Sequence, residues 1–267
     1  MTPPRVLTIA GSDSGGGAGI QADLKTFLAC GVHGMSAITA VTVQNSRGVS
    51  GVHEVPAQVV ADQIESVLTD IGAGAVKTGM LASAPIIVAV VEVLRRLGAG
   101  PLVVDPVCAS QHGDSLLRPD AVDALRELLL PLADVVTPNL GEVRLLTGIR
   151  VLDRAGQEDA ARALHAMGCR RVLVKGGHLP ADQLATDVLF DGQTFSELTV
   201  PRIQAAHTHG TGDTLAAATT AWLARGLDLG DALAAGKQYV TRAVVDGYPL
   251  GSGAGPVGHF WRIRPDA

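Results

Sequence analysis

Six short apolar runs, separated by stretches with helical spacing, constrain the fold of this chain more than any other feature. They are rich in Val, Ile and Leu, and each is too short for a helix. The runs begin at Arg5, Ser36, Gly74, Pro101, Ala133 and Arg171. Strands that alternate with helices need right-handed crossovers, which produce a mainly parallel sheet covered by helices on both faces. The predicted fold class is therefore α/β.

Prolines near the start and glycines past the end mark several predicted helices. Five helices are expected before the sixth run, at 21–30, 56–70, 85–97, 119–130 and 158–167. After Lys175 the dipeptide Asp191-Gly192 predicts a hairpin turn between two further strands. Two long helices are then expected at 211–225 and 230–245. Because no repeat or linker interrupts this pattern, residues 1–267 are predicted to form one domain.

Charge and cysteine content argue against several classes of protein. Lysine and arginine number 21 against 26 aspartates and glutamates, a net charge of −5 without the basic stripe that nucleic-acid binding needs. The apolar stretch at Ile86 meets Glu92 long before the ~20 residues of a bilayer span. Three scattered cysteines without a C-x-x-C pair favour neither a disulfide framework nor a zinc site. We expect a cytoplasmic protein with no secretory signal and no nucleic-acid or membrane partner.

A glycine-rich segment, GSDSGGGAG at 11–19, follows the first predicted strand and precedes a helix. Glycines there let the backbone approach a ligand and direct N–H groups at an anion. A dinucleotide fingerprint fits 17–22 poorly, because the acidic residue expected about 20 positions later is absent. No P-loop motif occurs in the sequence. The segment is either an anion-binding loop or a flexible turn with no ligand.

The segment HTHGTGDT opens the first of the two long predicted helices. The amides of 210–212, together with the helix dipole, can form an anion site. Asp213 in the first turn has two open interpretations. Its negative charge interacts favourably with the helix dipole and stabilises the helix, or it is a base beside a transferring phosphoryl group. His207 and His209 are two apart, but without a carboxylate or thiolate nearby in sequence they are interpreted as loop residues rather than metal ligands.

Polar residues also follow three of the predicted strands. Asn139 and Glu142 in TPNLGE have the spacing of a capping box, and their oxygens can also hold magnesium through water. Asp105 and Lys175 each follow a buried apolar run. They suit Mg²⁺ and phosphate in phosphoryl transfer, and the alternative is a mutual ion pair across the sheet.

Seven motifs together resemble one known family. They are AGSDSGGGAGIQADLKTF (10–27), QN (44–45), KTGML (77–81), VVDPV (103–107), TPN-x-x-E (137–142), VKGGHL (174–179) and THGTGDT (208–214). This set is similar to that of the hydroxymethylpyrimidine/phosphomethylpyrimidine kinases of thiamine biosynthesis, in the ribokinase-like superfamily. The match runs from Val6 to His259, about the whole chain.

The resemblance implies a ribokinase-like fold, a homodimer, and ATP with Mg²⁺ as cosubstrates. It assigns the aminopyrimidine ring of the substrate to Gln44, whose amide offers both a donor and an acceptor. It also implies that Gly11, Asp23, Met80 and Val107 line the pyrimidine pocket.

The resemblance assigns a second set of positions to ATP. They are Asp105 and Glu142 for Mg²⁺, Asn139, Lys175, Thr208 and Lys237 for the nucleotide, and Gly210, Thr211 and Gly212 for the anion hole. Charge on the transferring group would be held by these amides and by Lys175.

Two positions depart from the pattern of this family. The pyrimidine kinases commonly have cysteine where this chain has Asp213, whereas sugar kinases and many pyridoxal kinases have aspartate. Gln111 stands where the loop after VVDPV commonly carries a lysine. With Asp213 as the base, the predicted function is ATP-dependent phosphorylation of hydroxymethylpyrimidine and of its monophosphate.

Pyridoxal kinase activity is the alternative within the same superfamily. A pyrimidine sensor without catalysis is less favoured, because it would not need Asp213, Lys175 and Asp105 together. A nicotinamide oxidoreductase is disfavoured by the poor dinucleotide fingerprint.

Overall fold

The computed structural model describes residues 2–98, 100–108, 117–177, 179 and 183–263, and Gln111 lies outside these ranges. Nine strands form one sheet in the order β3-β2-β1-β4-β5-β6-β7-β8-β9. Their bounds are β1 (Arg5–Asp13), β2 (His33–Asn45), β3 (Gly48–Glu54), β4 (Ala75–Thr78), β5 (Leu102–Val104), β6 (Val135–Val136), β7 (Val172–Val174), β8 (Leu184–Phe190) and β9 (Phe195–Pro201). The six predicted runs are all strands.

Strands β2, β1, β4, β5, β6 and β7 are parallel, and the strands at the two ends of the sheet are antiparallel. At one end β8 and β9 form the hairpin that Asp191-Gly192 predicted. At the other end β3 pairs with β2, a strand that the sequence analysis did not predict. Since β3 is largely exposed and contains two glycines, it lacks the apolar signature of a buried strand. The mainly parallel α/β class is confirmed.

Eight α-helices surround the sheet in the described part of the chain. They are α1 (Gly19–Ala29), α2 (Ala57–Asp70), α3 (Ala84–Leu97), α4 (Pro119–Ala124), α5 (Leu140–Thr147), α6 (Arg154–Ala166), α7 (Thr211–Ala224) and α8 (Leu229–Val245). The predicted start of α6 at residue 158 is four residues late, because the Asp153 side chain accepts a hydrogen bond from the Gly156 amide and caps the helix earlier. No described helix combines the length and the apolar character that a membrane crossing requires.

The helices pack on both faces of the sheet, as predicted. On one face α2, α3 and α6 contribute Ile64, Ile87 and Leu164 to the largest apolar cluster. On the other face α1 and α7 meet through Phe27 and the alanines of α7. Small alanine side chains allow α7 to lie close to the sheet and to α1. The N-terminus of α7 is thereby fixed above the carboxyl edge of the strands.

Candidate active site

A cleft of about 760 Å³ lies at the carboxyl edge of the parallel strands. This is where ligands bind in open α/β sheets, because the loops that follow the strands converge there. Nearly every residue that the motifs indicated contributes to the lining of this cleft. The predicted residues in the lining are Gly11, Gln44, Met80, Asp105, Val107, Asn139, Glu142, Lys175, Thr208, Gly210, Thr211, Gly212, Asp213 and Lys237.

Asp23 does not line the cleft, which corrects the expectation that it belongs to the pyrimidine pocket. Its side chain is fully buried, and the Lys77 ammonium donates to both carboxylate oxygens at 2.8 and 2.9 Å. Thr8 Oγ1 donates to the same carboxylate at 2.6 Å. Burial raises the pKa of Asp23 to about 7, while the charge of Lys77 opposes that rise. Asp23 therefore sits behind the cleft wall as the partner of Lys77.

Asp213 lies in the first turn of α7 and is also in contact with Lys77. Its Oδ1 is 3.1 Å from the Lys77 Nζ, and its side chain is 14% exposed, on the cleft side. Gly210 precedes α7 with a φ of +80°, and no side chain caps the helix. Gly210, Thr211 and Gly212 thus line the cleft beside a carboxylate, and the Thr211 amide donates to the Thr208 carbonyl oxygen at 3.2 Å. Both the dipole and the base interpretations of Asp213 fit this position.

Asp105 and Lys175 form an ion pair across the sheet, at a distance of 2.9 Å between Oδ1 and Nζ. Thr137 Oγ1 donates to the same Asp105 oxygen at 3.1 Å. Burial alone would lower the pKa of Lys175. The negative charges of Asp105 and Glu142 raise it by more than burial lowers it, so the net shift of the pKa is upward. Lys175 is therefore a firmly charged group that still reaches the cleft. The ion pair proposed as an alternative is present, and both partners also line the cleft.

Asn139 and Glu142 form the capping box of α5. The Glu142 amide donates to Asn139 Oδ1 at 2.9 Å, and the Asn139 amide donates to Glu142 Oε2 at 2.7 Å. Burial raises the pKa of Glu142 to about 8, Lys175 opposes this rise and Asp105 adds to it. The carboxylate of Glu142 is thus placed among charges at the edge of the cleft as well as capping a helix.

Gln44 lies at the opposite end of the cleft within a small polar cluster. Its Oε1 accepts a hydrogen bond from Thr42 Oγ1 at 3.1 Å, and its Nε2 lies 3.3 Å from His209 Nε2. His209 Nε2 is also 3.3 Å from Asp13 Oδ2. Burial raises the pKa of Asp13, but hydrogen bonds from His209 and from backbone amides lower it overall. The orientation of the Gln44 amide is therefore set by its neighbours.

Sequence reasoning missed Lys77, Asp13 and His209 as members of the site. Asp13 accepts hydrogen bonds from the amides of Gly15, Gly17 and Ala18, so an aspartate just before a glycine run was the signal for an ordered loop. Across the described ranges, no group of three or more acidic, histidine or cysteine side chains is arranged to hold a metal ion. His207 instead accepts from the Gly255 amide, as a loop residue would.

Gly11 and Met80 meet at the floor of the Gln44 end. A Cβ on Gly11 would lie 2.4 Å from Met80 Cε, so the glycine lets the methionine side chain lie across the strand. The result is an apolar surface beside the Gln44 amide. Such a surface suits the face of a flat heteroaromatic ring.

Lys237 lies at the other end of the cleft, on α8. Its ammonium is 2.7 Å from Asp187 Oδ2, and the other oxygen of Asp187 accepts from the Gly176 amide. Val200 and Val240 contribute apolar surface to the cleft from β9 and α8. Lys237 therefore ties α8 to the sheet beside an apolar slot, and its charge is already paired.

Comparison with solved structures identifies the class of protein. The pyridoxal kinase of Staphylococcus aureus in complex with AMP-PCP and pyridoxal is 39% identical, with a TM-score of 0.88, over 97% of this chain and 94% of that one. The phosphomethylpyrimidine kinase of Clostridium difficile is 42% identical, with a TM-score of 0.79, over 90% and 99%. The fold is that of ribokinase-like small-molecule kinases.

The family follows from the sequence comparisons. A family model described as phosphomethylpyrimidine kinase matches residues 13–258. The hydroxymethylpyrimidine/phosphomethylpyrimidine kinase of Mycobacterium leprae is 57% identical over 261 residues, 96% of this chain and 94% of that protein. The chain belongs to the phosphomethylpyrimidine kinase family.

The glycine that begins α7 provides a test of how tightly the anion site is built. A Cβ on Gly210 would lie 2.0 Å from the Gly17 carbonyl oxygen, whereas one on Gly226, with a similar φ of +91°, would meet nothing within 4 Å. Gly226→Ala should cost roughly 1–2 kcal/mol of unfolding free energy, from the left-handed backbone alone. Gly210→Ala should cost more, because the loop at Gly17 must also move. Urea unfolding of both variants measures the difference, and equal losses would contradict this close packing.

Proposed function

We propose that this chain transfers the γ-phosphate of ATP first to hydroxymethylpyrimidine and then to the resulting monophosphate. Membership of the family and the 57% identical relative support the substrate. The observation that carries the chemistry is the Asp213 carboxylate at the amide-rich start of α7, within the same cleft as Gln44. A base, an anion site and a ring-binding amide are what this reaction needs.

The Gln44 end of the cleft is the proposed site of the pyrimidine. The Gln44 amide can donate to a ring nitrogen and accept from the amino group. Met80 and Val107 supply apolar contact from the neighbouring strand ends. The hydroxymethyl group would then extend toward Asp213.

The Lys237 end is the proposed site of the nucleotide. The apolar slot between β9 and α8 suits an adenine base, and Thr208, Asn139 and Lys175 line the same cleft. ATP use is also supported by the AMP-PCP complex of the S. aureus neighbour. Lys175 would offset charge on the phosphates, and the 210–212 amides would hold the transferring group.

Asp105 and Glu142 are the side chains that would hold Mg²⁺. Two carboxylates without a third protein ligand suit Mg²⁺, which usually keeps several waters and takes substrate phosphates as ligands. The raised pKa of Glu142, which Asp105 increases, also fits a site that awaits a cation. Bound Mg²⁺ would neutralise charge on the phosphates.

In the first reaction the hydroxymethyl oxygen of the pyrimidine bonds to the γ-phosphorus of ATP, and Asp213 accepts the proton of that hydroxyl. The bond between the γ-phosphorus and the oxygen that bridges it to the β-phosphate breaks. ADP leaves, and the proton remains on Asp213 until solvent removes it. In the second reaction the nucleophile is an oxygen of the monophosphate, which is already anionic at neutral pH. The second transfer therefore needs no base.

The function is tested by offering hydroxymethylpyrimidine, its monophosphate and pyridoxal in parallel with ATP and Mg²⁺, with products identified by mass spectrometry. We expect mono- and diphosphorylated pyrimidine. Pyridoxal is the second candidate, because pyridoxal kinases are close structural neighbours. Phosphorylation of pyridoxal alone would overturn the pyrimidine assignment and keep the kinase.

The role of Asp213 is tested by Asp213→Asn. Loss of a general base should slow the first transfer by ~10²-fold or more and spare the second. Asp231→Asn is a matched control, because Asp231 occupies the first turn of α8 and is absent from the cleft lining. Equal losses in both transfers would refute the base assignment.

The chain is proposed to form one domain, to be located in the cytoplasm and to assemble as a homodimer. Val41 and Val43 lie two apart on β2 and are 47% and 63% exposed, which supports a covered apolar face near the edge of the sheet. The three cysteines are free and buried, as suits a reducing compartment. Light scattering should give twice the 27.4 kDa of the chain, and Val43→Glu should reduce it. A wild-type monomer would contradict the proposal.

A further inference from the structure

Lys77 is a fully buried lysine at the carboxyl end of β4, and it contacts two carboxylates. Asp23 accepts from its ammonium at 2.8 and 2.9 Å, and Asp213 Oδ1 lies at 3.1 Å. Thr8 donates to Asp23 from β1. A lysine in a fully buried strand is costly unless it is paired, so this position has a specific reason to be charged.

The cluster connects the core of the sheet to the cleft through Asp213 alone. Lys77 and Asp23 are fully buried and absent from the cleft lining, whereas Asp213 belongs to it. Lys77 therefore does not touch a substrate, and its hydrogen bond to a cleft residue is the one to Asp213. Asp105 interacts electrostatically with Lys77, and Asp213 does so with Glu142, Lys175 and His259.

The contact with Lys77 restricts the orientation of Asp213. One carboxylate oxygen is held by the ammonium, so the side chain cannot rotate freely above the α7 amides. When Asp213 takes up a proton, Lys77 and Asp23 remain paired with each other at 2.8 and 2.9 Å. Proton uptake thus leaves no buried charge without a partner.

We propose that Lys77 is a positioning residue for the first phosphoryl transfer, which holds the Asp213 carboxylate in place while Asp23 and Thr8 fix Lys77. This inference rests on the proposed function, since it assigns a second layer of residues to the same base. It separates the two transfers: the first depends on the position of Asp213, and the second does not.

The test is the double variant Lys77→Met/Asp23→Asn, which removes the clamp and leaves no charge at either fully buried position, while Asp213 keeps its 14% exposure on the cleft side. Because misplacing a reacting group by about 1 Å can cost ~10²-fold, we expect the kcat of the first transfer to fall at least about tenfold. The second transfer should keep its rate, which also shows that the variant folds and binds ATP. In an Asp213→Asn background the same pair of substitutions should add little further loss.

Thr8→Val is a milder second variant, because it keeps the shape of the side chain and removes only the hydrogen bond to Asp23. It should reduce the first transfer selectively, by a smaller factor. Lys25→Met is the control: the Lys25 ammonium donates to the Gly16 carbonyl, so its loss should change both transfers in the same proportion.

Equal losses in both transfers, or a full additional loss in the Asp213→Asn background, would overturn the role of Lys77. Wild-type protein that phosphorylates no pyrimidine would instead overturn the proposed function. The two failures are therefore distinguishable.

Discussion

The pairing of buried lysines with carboxylates at one edge of the sheet is the interaction on which the site depends. Lys77 near the end of β4 pairs with Asp23 of α1, and Lys175 after β7 pairs with Asp105 after β5. Charges that water does not solvate fully therefore stand at the carboxyl ends of three parallel strands. Removing one partner of such a pair typically costs about 3–5 kcal/mol, because the other charge stays buried. Side chains held this firmly can present functional groups at fixed positions along the edge.

The start of α7 adds the partial positive charge of a helix N-terminus to this edge of the sheet. Gly210 and Gly212 place no side chain at this end of the helix, and a Cβ on Gly212 would lie 3.2 Å from the Lys175 ammonium. The buried alanines of α7 keep the helix close to the sheet, so that Asp213 reaches Lys77. Packing in the core therefore determines how closely the anion site approaches the charged strand ends.

Much of the fold could be predicted because its signals are local. Buried β-branched runs, proline and glycine at helix ends and the Asp191-Gly192 turn each act within a few residues. Strand β3 escaped prediction because an exposed edge strand with glycines has no such signal. Asp105, Lys175, Asn139 and Glu142 were predictable because strand ends converge in a parallel sheet, whereas Gln44, Met80, Val107 and Lys237 were assigned by resemblance to a family.

The second layer of the site could not be predicted, because it depends on contacts between distant parts of the chain. Asp23 and Lys77 are 54 residues apart, and nothing local indicates that they pair behind the cleft wall. His209 looked like a loop residue because its partners, Asp13 and Gln44, come from strands far away in sequence. Motifs identified which segments matter, but not which side chains face the cleft.

The account stands on the claim that the acceptor hydroxyl and the γ-phosphate meet between Asp213 and the amides of 210–212. A crystal structure with hydroxymethylpyrimidine and a non-hydrolysable ATP analogue measures this directly. The account predicts the ring on Gln44, the hydroxymethyl oxygen within hydrogen-bond distance of the Asp213 carboxylate, and the γ-phosphate on those amides. A hydroxymethyl group directed away from Asp213, or a γ-phosphate bound elsewhere in the cleft, would contradict it.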